Sequence, residues 1–132
     1  MNDEPQMLSE HFDTHIGLEH LDDGDGWASG RLEISDATRQ PFGIVHGGVM
    51  AAIAESVVSA KTFREVADDG KIAVGQSNAA NFLRPVEAGS LHIDARARHA
   101  GRTSWVWDVD ITDDEDRLCA TVRIVMAVRD RR

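Results

Sequence analysis

The stretch His46-Gly-Gly-Val-Met-Ala-Ala-Ile-Ala-Glu55-Ser-Val-Val-Ser59-Ala is apolar on every side of a helix except at one glutamate. After the two glycines, Val49, Ala52, Ile53, Ser56, Val57, Ala60 and Phe63 recur at i, i+3, i+4 spacing. The opposite side, Met50, Ala51, Ala54 and Val58, is also apolar and mostly small. A helix that is apolar all round is expected to be buried, and only Lys61 through Asp69 regains charge. One buried helix needs other elements wrapped around it.

The flanking sequence supplies them. Trp27 to Ile34 alternates, with Trp27, Ser29, Arg31 and Glu33 on one side and Ala28, Gly30, Leu32 and Ile34 on the other. A strand-like pattern begins at His15 and precedes a turn at Asp22 to Gly26, whereas Ser35 to Val45 reads as a loop. Beyond the helix, Ile72–Phe82, Leu91–His99, Thr103–Ile111 and Leu118–Val128 read as strands. Their short connections predict antiparallel neighbours, because a parallel crossover needs about a dozen residues or more. The expectation is an α+β fold: one long central helix wrapped by a curved antiparallel sheet of about six strands.

The chain's 132 residues fit one domain, over 12–132, after a loose or short helical lead-in at 1–11. A formal charge of −9, with no cluster of basic residues, argues against a nucleic-acid partner. No stretch reaches the roughly 18 apolar residues of a membrane span. The acidic Met1–Glu10 lacks a basic region followed by an apolar one, so the cytoplasm is the expected compartment. Cys119 falls in an alternating apolar run and reads as a buried, inert thiol. The histidines and the single cysteine show no ligand spacing, so no metal is expected. Ser56 lacks the flanking glycines of a nucleophile elbow.

Chemistry concentrates at Gln40, His46-Gly47-Gly48, Glu55 and Ser59. Two glycines at a helix start allow close approach of a ligand, and the free N–H groups there, with the helix dipole, suit a developing oxyanion. Taken alone, His-Gly-Gly is also a tight loop-to-helix turn. Glu55 is the only carboxylate between Val49 and Ala60, and burying an unpartnered charge is costly, which favours a functional reading. Ser59, one turn on, shares its face and reads either as a positioning hydroxyl or as a small packing residue.

These residues carry a resemblance. Gly43-Ile-Val-His-Gly-Gly-Val-Met-Ala-Ala-Ile-Ala-Glu55, with Asn81-Phe-Leu-Arg-Pro85 and Gly101-Arg102-Thr103, resembles the hotdog-fold acyl-CoA thioesterases across roughly residues 12–128. Within them it is similar to the Arthrobacter-type 4-hydroxybenzoyl-CoA thioesterases and their phenylacetate-pathway, enterobactin-proofreading and dihydroxynaphthoyl-CoA relatives. That resemblance implies Glu55 as nucleophile or general base and the Gly47 N–H as the group polarising the thioester carbonyl. It implies that Gln40 assists there, that His46 orients the loop or substrate, and that Ser59 helps place the water. Arg84 fits a family position near the CoA phosphates and otherwise reads as a solvated strand-end charge, with Arg102 and Arg98 as similar candidates, and Ser77 reads either as lining the acyl pocket or as a strand-facing packing residue. Phe82 stands where some relatives carry a histidine, so their exact substrate preference does not transfer. Gly48 completes the ligand-approach turn.

The resemblance further implies hydrolysis of an aromatic or medium-sized acyl-CoA without a cofactor, coenzyme A being part of the substrate. An acyl-carrier protein is the other conceivable carrier, and self-association is expected as a homodimer or a dimer of dimers. The alternatives are an acyl-thioester dehydratase or hydratase of the same fold, whose catalytic-histidine loop pattern this chain lacks, and a non-catalytic acyl-CoA-binding protein. Gly47 and Glu55 stand eight residues apart, about 12 Å along a helix axis, so one helix is not expected to bring both to one thioester carbon. The expected site is shared between two chains with antiparallel helices.

Overall fold

The computed structural model describes residues 7–131. They run in the order α1 (Phe12–Ile16), β1 (Leu18–Gly24), β2 (Trp27–Glu33), a 3-10 turn (Asp36–Thr38), α2 (Gly47–Ala67), β3 (Lys71–Phe82), β4 (Ser90–Ala100), β5 (Ser104–Thr112) and β6 (Leu118–Asp130). Part of the expected lead-in, residues 1–6, lies outside the described residues, and residues 7–10 form no helix.

The six strands form one antiparallel sheet in the order β1-β2-β4-β5-β6-β3, so the α+β architecture is as expected. Alternation along β2 buries Ala28, Gly30 and Leu32, with Ile34 just beyond it, and turns Trp27 and Glu33 outward. The inward faces of β4, β5 and β6 add Leu91, Ile93, Ala95, Trp107, Val109, Ile111, Val122, Ile124 and Met126, all packed in the core with Ile53, Val57 and Val58 of α2. The Trp107 indole N–H donates to Thr62 Oγ1 at 2.9 Å, and the Thr62 hydroxyl donates to the Val58 carbonyl at 2.6 Å. The buried polar groups are thereby partnered where sheet meets helix. Cys119 is fully buried, and that burial pushes its thiol up from the ordinary range. No described helix is long and apolar enough to cross a membrane.

Three expectations are corrected. The strand expected from His15 is first a helical turn: Thr14 Oγ1 caps the His11 N–H at 3.0 Å, and Gly17, at φ 79°, ends the turn in the left-handed conformation before β1 starts. Strands β3 and β4, joined by a short link, are not neighbours. Their directions are antiparallel, but the link crosses the end of the curved sheet and β5 and β6 lie between them. Finally, α2 is not buried all round. The sheet covers the stripe of Met50, Ile53, Ala54, Val57 and Val58, while Ala51, Ala52, Glu55, Ser56, Ser59 and Ala60 stay half-open.

The later half of α2 is anchored electrostatically. The buried Lys61 ammonium donates to Asp23 Oδ2 at 2.9 Å and to Glu65 one turn on. Burial opposes that charge, but the bonds to Glu65 and Asp23 outweigh it and hold the amine above the usual lysine range. In return, the Lys61 hydrogen bond holds the Asp23 carboxyl below the usual carboxylate range. A depressed carboxyl contributes stability above its unfolded value of about 3.9 and loses it as pH falls through the folded value. Asp23→Asn is therefore expected to lower the urea midpoint at neutral pH, with the difference from wild type closing below about pH 4. A difference that persists unchanged into acid would show that the charge of Asp23 is not what anchors the helix.

Candidate active site

Helix α2 and strand β3 lie side by side and run in opposite directions. A side chain on Gly47, at the helix start, would meet the Phe82 ring at 3.0 Å, and one on Gly75 would meet Glu55 Oε2 at 2.8 Å. Between these points Asn78 Nδ2 donates to the Ala51 carbonyl at 2.9 Å and to Glu55 Oε1 at 3.2 Å. Residues 75 and 78 would face opposite ways on a regular strand. The register shift between Gly75 and Ser77 leaves Gln76 as an extra residue opposite β6, which brings both Gly75 and Asn78 to the helix side. Glu55 is thus half-buried and amide-bonded, not the fully enclosed, unpartnered carboxylate expected of an all-round buried helix.

Glu55 opens onto a groove of about 980 Å³. Its floor is α2, with Ala52, Ser56, Ser59, Ala60 and Phe63, and its walls include Phe12 and Asp13 of α1 and Ala73 of β3. The Ser59 hydroxyl shares the groove but points to Met126 Sδ at 3.7 Å, a weak partner that leaves it free to bind a water or a substrate atom.

The other expected residues gather elsewhere. Gln40, Gly47, Phe82, Arg84 and Pro85 line a separate cleft of about 290 Å³. Gln40 is placed by a tight loop in which its N–H donates to the Ile44 carbonyl at 2.8 Å and its carbonyl accepts from Gly43, at φ 98°. Gly47 lines this cleft at the positive end of a 21-residue helix, and its N–H donates to no described residue. His46 is the helix N-cap: its Nδ1 accepts from the Gly48 N–H at 2.8 Å and its own N–H donates to the Thr38 carbonyl at 2.9 Å, so it orders the loop. A neutral His46 therefore carries its proton on Nε2.

Gly48, Ser77, Arg98 and Arg102 line neither space. Ser77 shares the face of Ala79 and Asn81, opposite Asn78, so this chain does not place it toward its own groove. Arg98 lies 3.7 Å from Asp108 on the outer sheet surface, and Arg102 is exposed in the β4–β5 turn. Sequence reasoning missed Gly75 and Asn78 because only the bulge reveals their common face. It missed Asp13 because the tie to Ser56 joins residues 43 positions apart. Among the described residues no group of three or more His, Cys, Asp or Glu could hold a metal ion.

Comparison with known proteins adds independent evidence. The thioesterase superfamily profile matches residues 42–120. The proofreading thioesterase EntH of Cronobacter turicensis is 34% identical over 86% of this chain and 82% of its own length. The 1,4-dihydroxy-2-naphthoyl-CoA hydrolase of Listeria monocytogenes is 34% identical over 89% of this chain and 94% of its own. A thioesterase from Haemophilus influenzae, solved by crystallography, superposes with a TM-score of 0.85 at 34% identity, covering 90% of this chain and 82% of that one.

Gly75→Ala is expected to push on the Glu55 carboxylate, the far end of a flexible side chain, and not on the strand. Thioester turnover should fall by roughly ten- to a hundredfold while the thermal midpoint stays near wild type. A lowered midpoint with turnover per folded molecule intact would make Gly75 a packing residue only.

Proposed function

The chain belongs to the thioesterase superfamily and is a thioester hydrolase, and we propose that its substrate is an aromatic or medium-sized acyl-CoA on which Glu55 acts as nucleophile or as general base for water. The observation that carries this reading is the Glu55 carboxylate itself, held by Asn78 across Gly75 and open to a groove large enough for an acyl group. With Glu55 as general base, water adds to the thioester carbonyl carbon, the C–S bond breaks, and the thiol leaves with a proton. With Glu55 as nucleophile, its carboxylate adds first, the C–S bond breaks with loss of the thiol, and water then cleaves the acyl–Glu55 anhydride to free the acid and the carboxylate. The charge that develops on the carbonyl oxygen needs donors. The open Gly47 N–H at the start of α2, with Gln40 beside it, provides them. Ser59 positions the water, and Arg84, exposed at the rim of the Gln40–Gly47 cleft, suits a CoA phosphate. Coenzyme A arrives as part of the substrate, and an acyl-carrier protein is the alternative carrier.

The donors and the carboxylate lie in two separate spaces of one chain, which supports a site shared by two copies. Strand β3 ends the sheet as a long edge with no charged residue from Ile72 to Phe82. Such an edge invites pairing. Antiparallel pairing of two β3 edges about a two-fold axis near Ser77 and Asn78 carries Phe82 and Gly47 of one copy toward Gly75 and Glu55 of the other. The homodimer is therefore the catalytic unit, with a dimer of dimers as a further assembly.

Two measurements test this function. Glu55→Gln should lower kcat by about a hundredfold or more across a panel of aryl and aliphatic acyl-CoA esters, with folding unchanged. Near-wild-type turnover would remove Glu55 from the chemistry. In the second, inactive Gln40→Ala and Glu55→Ala proteins are unfolded together, refolded and assayed. A shared site gives each mixed dimer one doubly lesioned and one intact site, so activity returns. If each site belongs to a single chain, no activity returns even when mixed dimers form.

A further inference from the structure

The wall of the groove formed by α1 carries one ionisable group among apolar neighbours. Asp13 lines the groove together with Phe12, Ala60 and Phe63, and its side chain is about one-quarter exposed, at 23%. It is held from two directions: the Ser56 hydroxyl donates to Asp13 Oδ1 at 2.7 Å, and His20 Nε2 lies 3.4 Å from Oδ2. Ser56 directly follows Glu55 on α2, which turns it about 100° around the helix, toward the α1 wall. Of the three carboxylates that line the groove, Glu55 is the one for chemistry on the β3 side. The second, Asp13, is locked in place on the α1 side, and the third, Asp68, is the exposed C-cap of α2. None of the thioester steps above uses the second one.

A carboxylate only accepts hydrogen bonds, and the contacts to Ser56 and His20 leave lone pairs on both Asp13 oxygens unused. An acyl group that brings a hydroxyl to this wall gains a charge-assisted bond, whereas one that brings a second carboxylate meets repulsion in a half-dry site. Arg64, a cation that also lines the groove, lies 3.5 Å from Asp23 and is half-exposed. We propose that Asp13, positioned by Ser56 and His20, is the specificity-determining residue of the groove. It selects acyl groups that carry a hydrogen-bond donor and rejects acyl groups that carry a further anion. This assignment rests on the acyl-CoA thioesterase reading of the same groove.

The test compares benzoyl-CoA, 3- and 4-hydroxybenzoyl-CoA and 4-carboxybenzoyl-CoA as substrates of wild type, Asp13→Ala, Asp13→Asn and Ser56→Ala. The readout is the ratio of kcat/KM between esters within each protein, which cancels differences in folded fraction or general activity. Wild type should prefer one hydroxybenzoyl ester over benzoyl-CoA by about tenfold or more and use the carboxybenzoyl ester least. Asp13→Ala and Asp13→Asn should bring the carboxybenzoyl ester closer to benzoyl-CoA, and Asp13→Ala should erase most of the hydroxyl preference. Ser56→Ala, which keeps the carboxylate, should retain the preference in weakened form. An unchanged hydroxyl ratio in Asp13→Ala, or a wild type that favours the carboxybenzoyl ester, overturns the assignment. Affinities of the same esters for Glu55→Gln, with and without Asp13→Ala, separate this idea from the one beneath it. If wild type hydrolyses none of them but binding keeps an Asp13-dependent hydroxyl preference, the substrate reading fails and the Asp13 assignment stands. Hydrolysis without that preference overturns the Asp13 assignment alone.

Discussion

The close side-by-side contact of α2 with β3 is the constraint on which the rest of this structure depends. It is made possible by glycine at both ends: Gly47 leaves room for the Phe82 ring, and Gly75 leaves room for the Glu55 carboxylate. Asn78 then ties strand to helix through the Ala51 carbonyl and the Glu55 carboxylate at once. The sheet curls around the remaining, strongly apolar side of α2, where Trp107 and Thr62 seal the contact. A single extra residue, Gln76, sets the phase of this contact. It allows a backbone without a side chain and an amide donor to face the same carboxylate.

The two sheet edges are treated differently. Strand β1 is bulged between His20 and Asp23 and carries Glu19, Asp22 and Asp23, features that discourage a second strand from pairing. Strand β3 is longer and uncharged over most of its length. The outer face of the sheet is charged, with Arg123 gripping Asp108 through two bonds of 2.7 and 2.9 Å and Arg98 nearby. Solvent suits that face, whereas β3 stands at the other end of the sheet beside the half-open side of α2. That half-open side holds Glu55, tied to β3 through Asn78.

Within the groove, position along α2 separates tasks by simple helix geometry. Residues one turn apart, such as Glu55 and Ser59, share a face, while adjacent residues such as Glu55 and Ser56 address different walls. Glu55 is thereby turned toward β3, where Asn78 holds it, and Ser56 toward α1, where it holds Asp13, without an extra loop. The helix start, with the Gly47 N–H, lies about 12 Å away along the axis.

Much of this was legible from residue order alone. Period-2 and period-3.6 patterns located α2 and strands β2 to β6 to within a few residues, because one-sided burial writes those periods directly into the chain. The isolated glutamate at position 55, its spacing from Gln40, His46 and Ser59, and the eight-residue gap to Gly47 were equally readable, since they need only a helix of known rise. Tertiary structure alone decided the rest. The bulge at Gln76 depends on pairing with β6, and no local pattern announces it. The separation of β3 from β4 depends on sheet curvature, which a short link does not encode. The opening of α2 along Glu55 depends on how far the sheet wraps. The tie from Asp13 to Ser56 spans 43 positions and exists only because α1 folds back over the helix. Local periodicity reports which face of an element is buried, but which faces meet is settled by long-range packing.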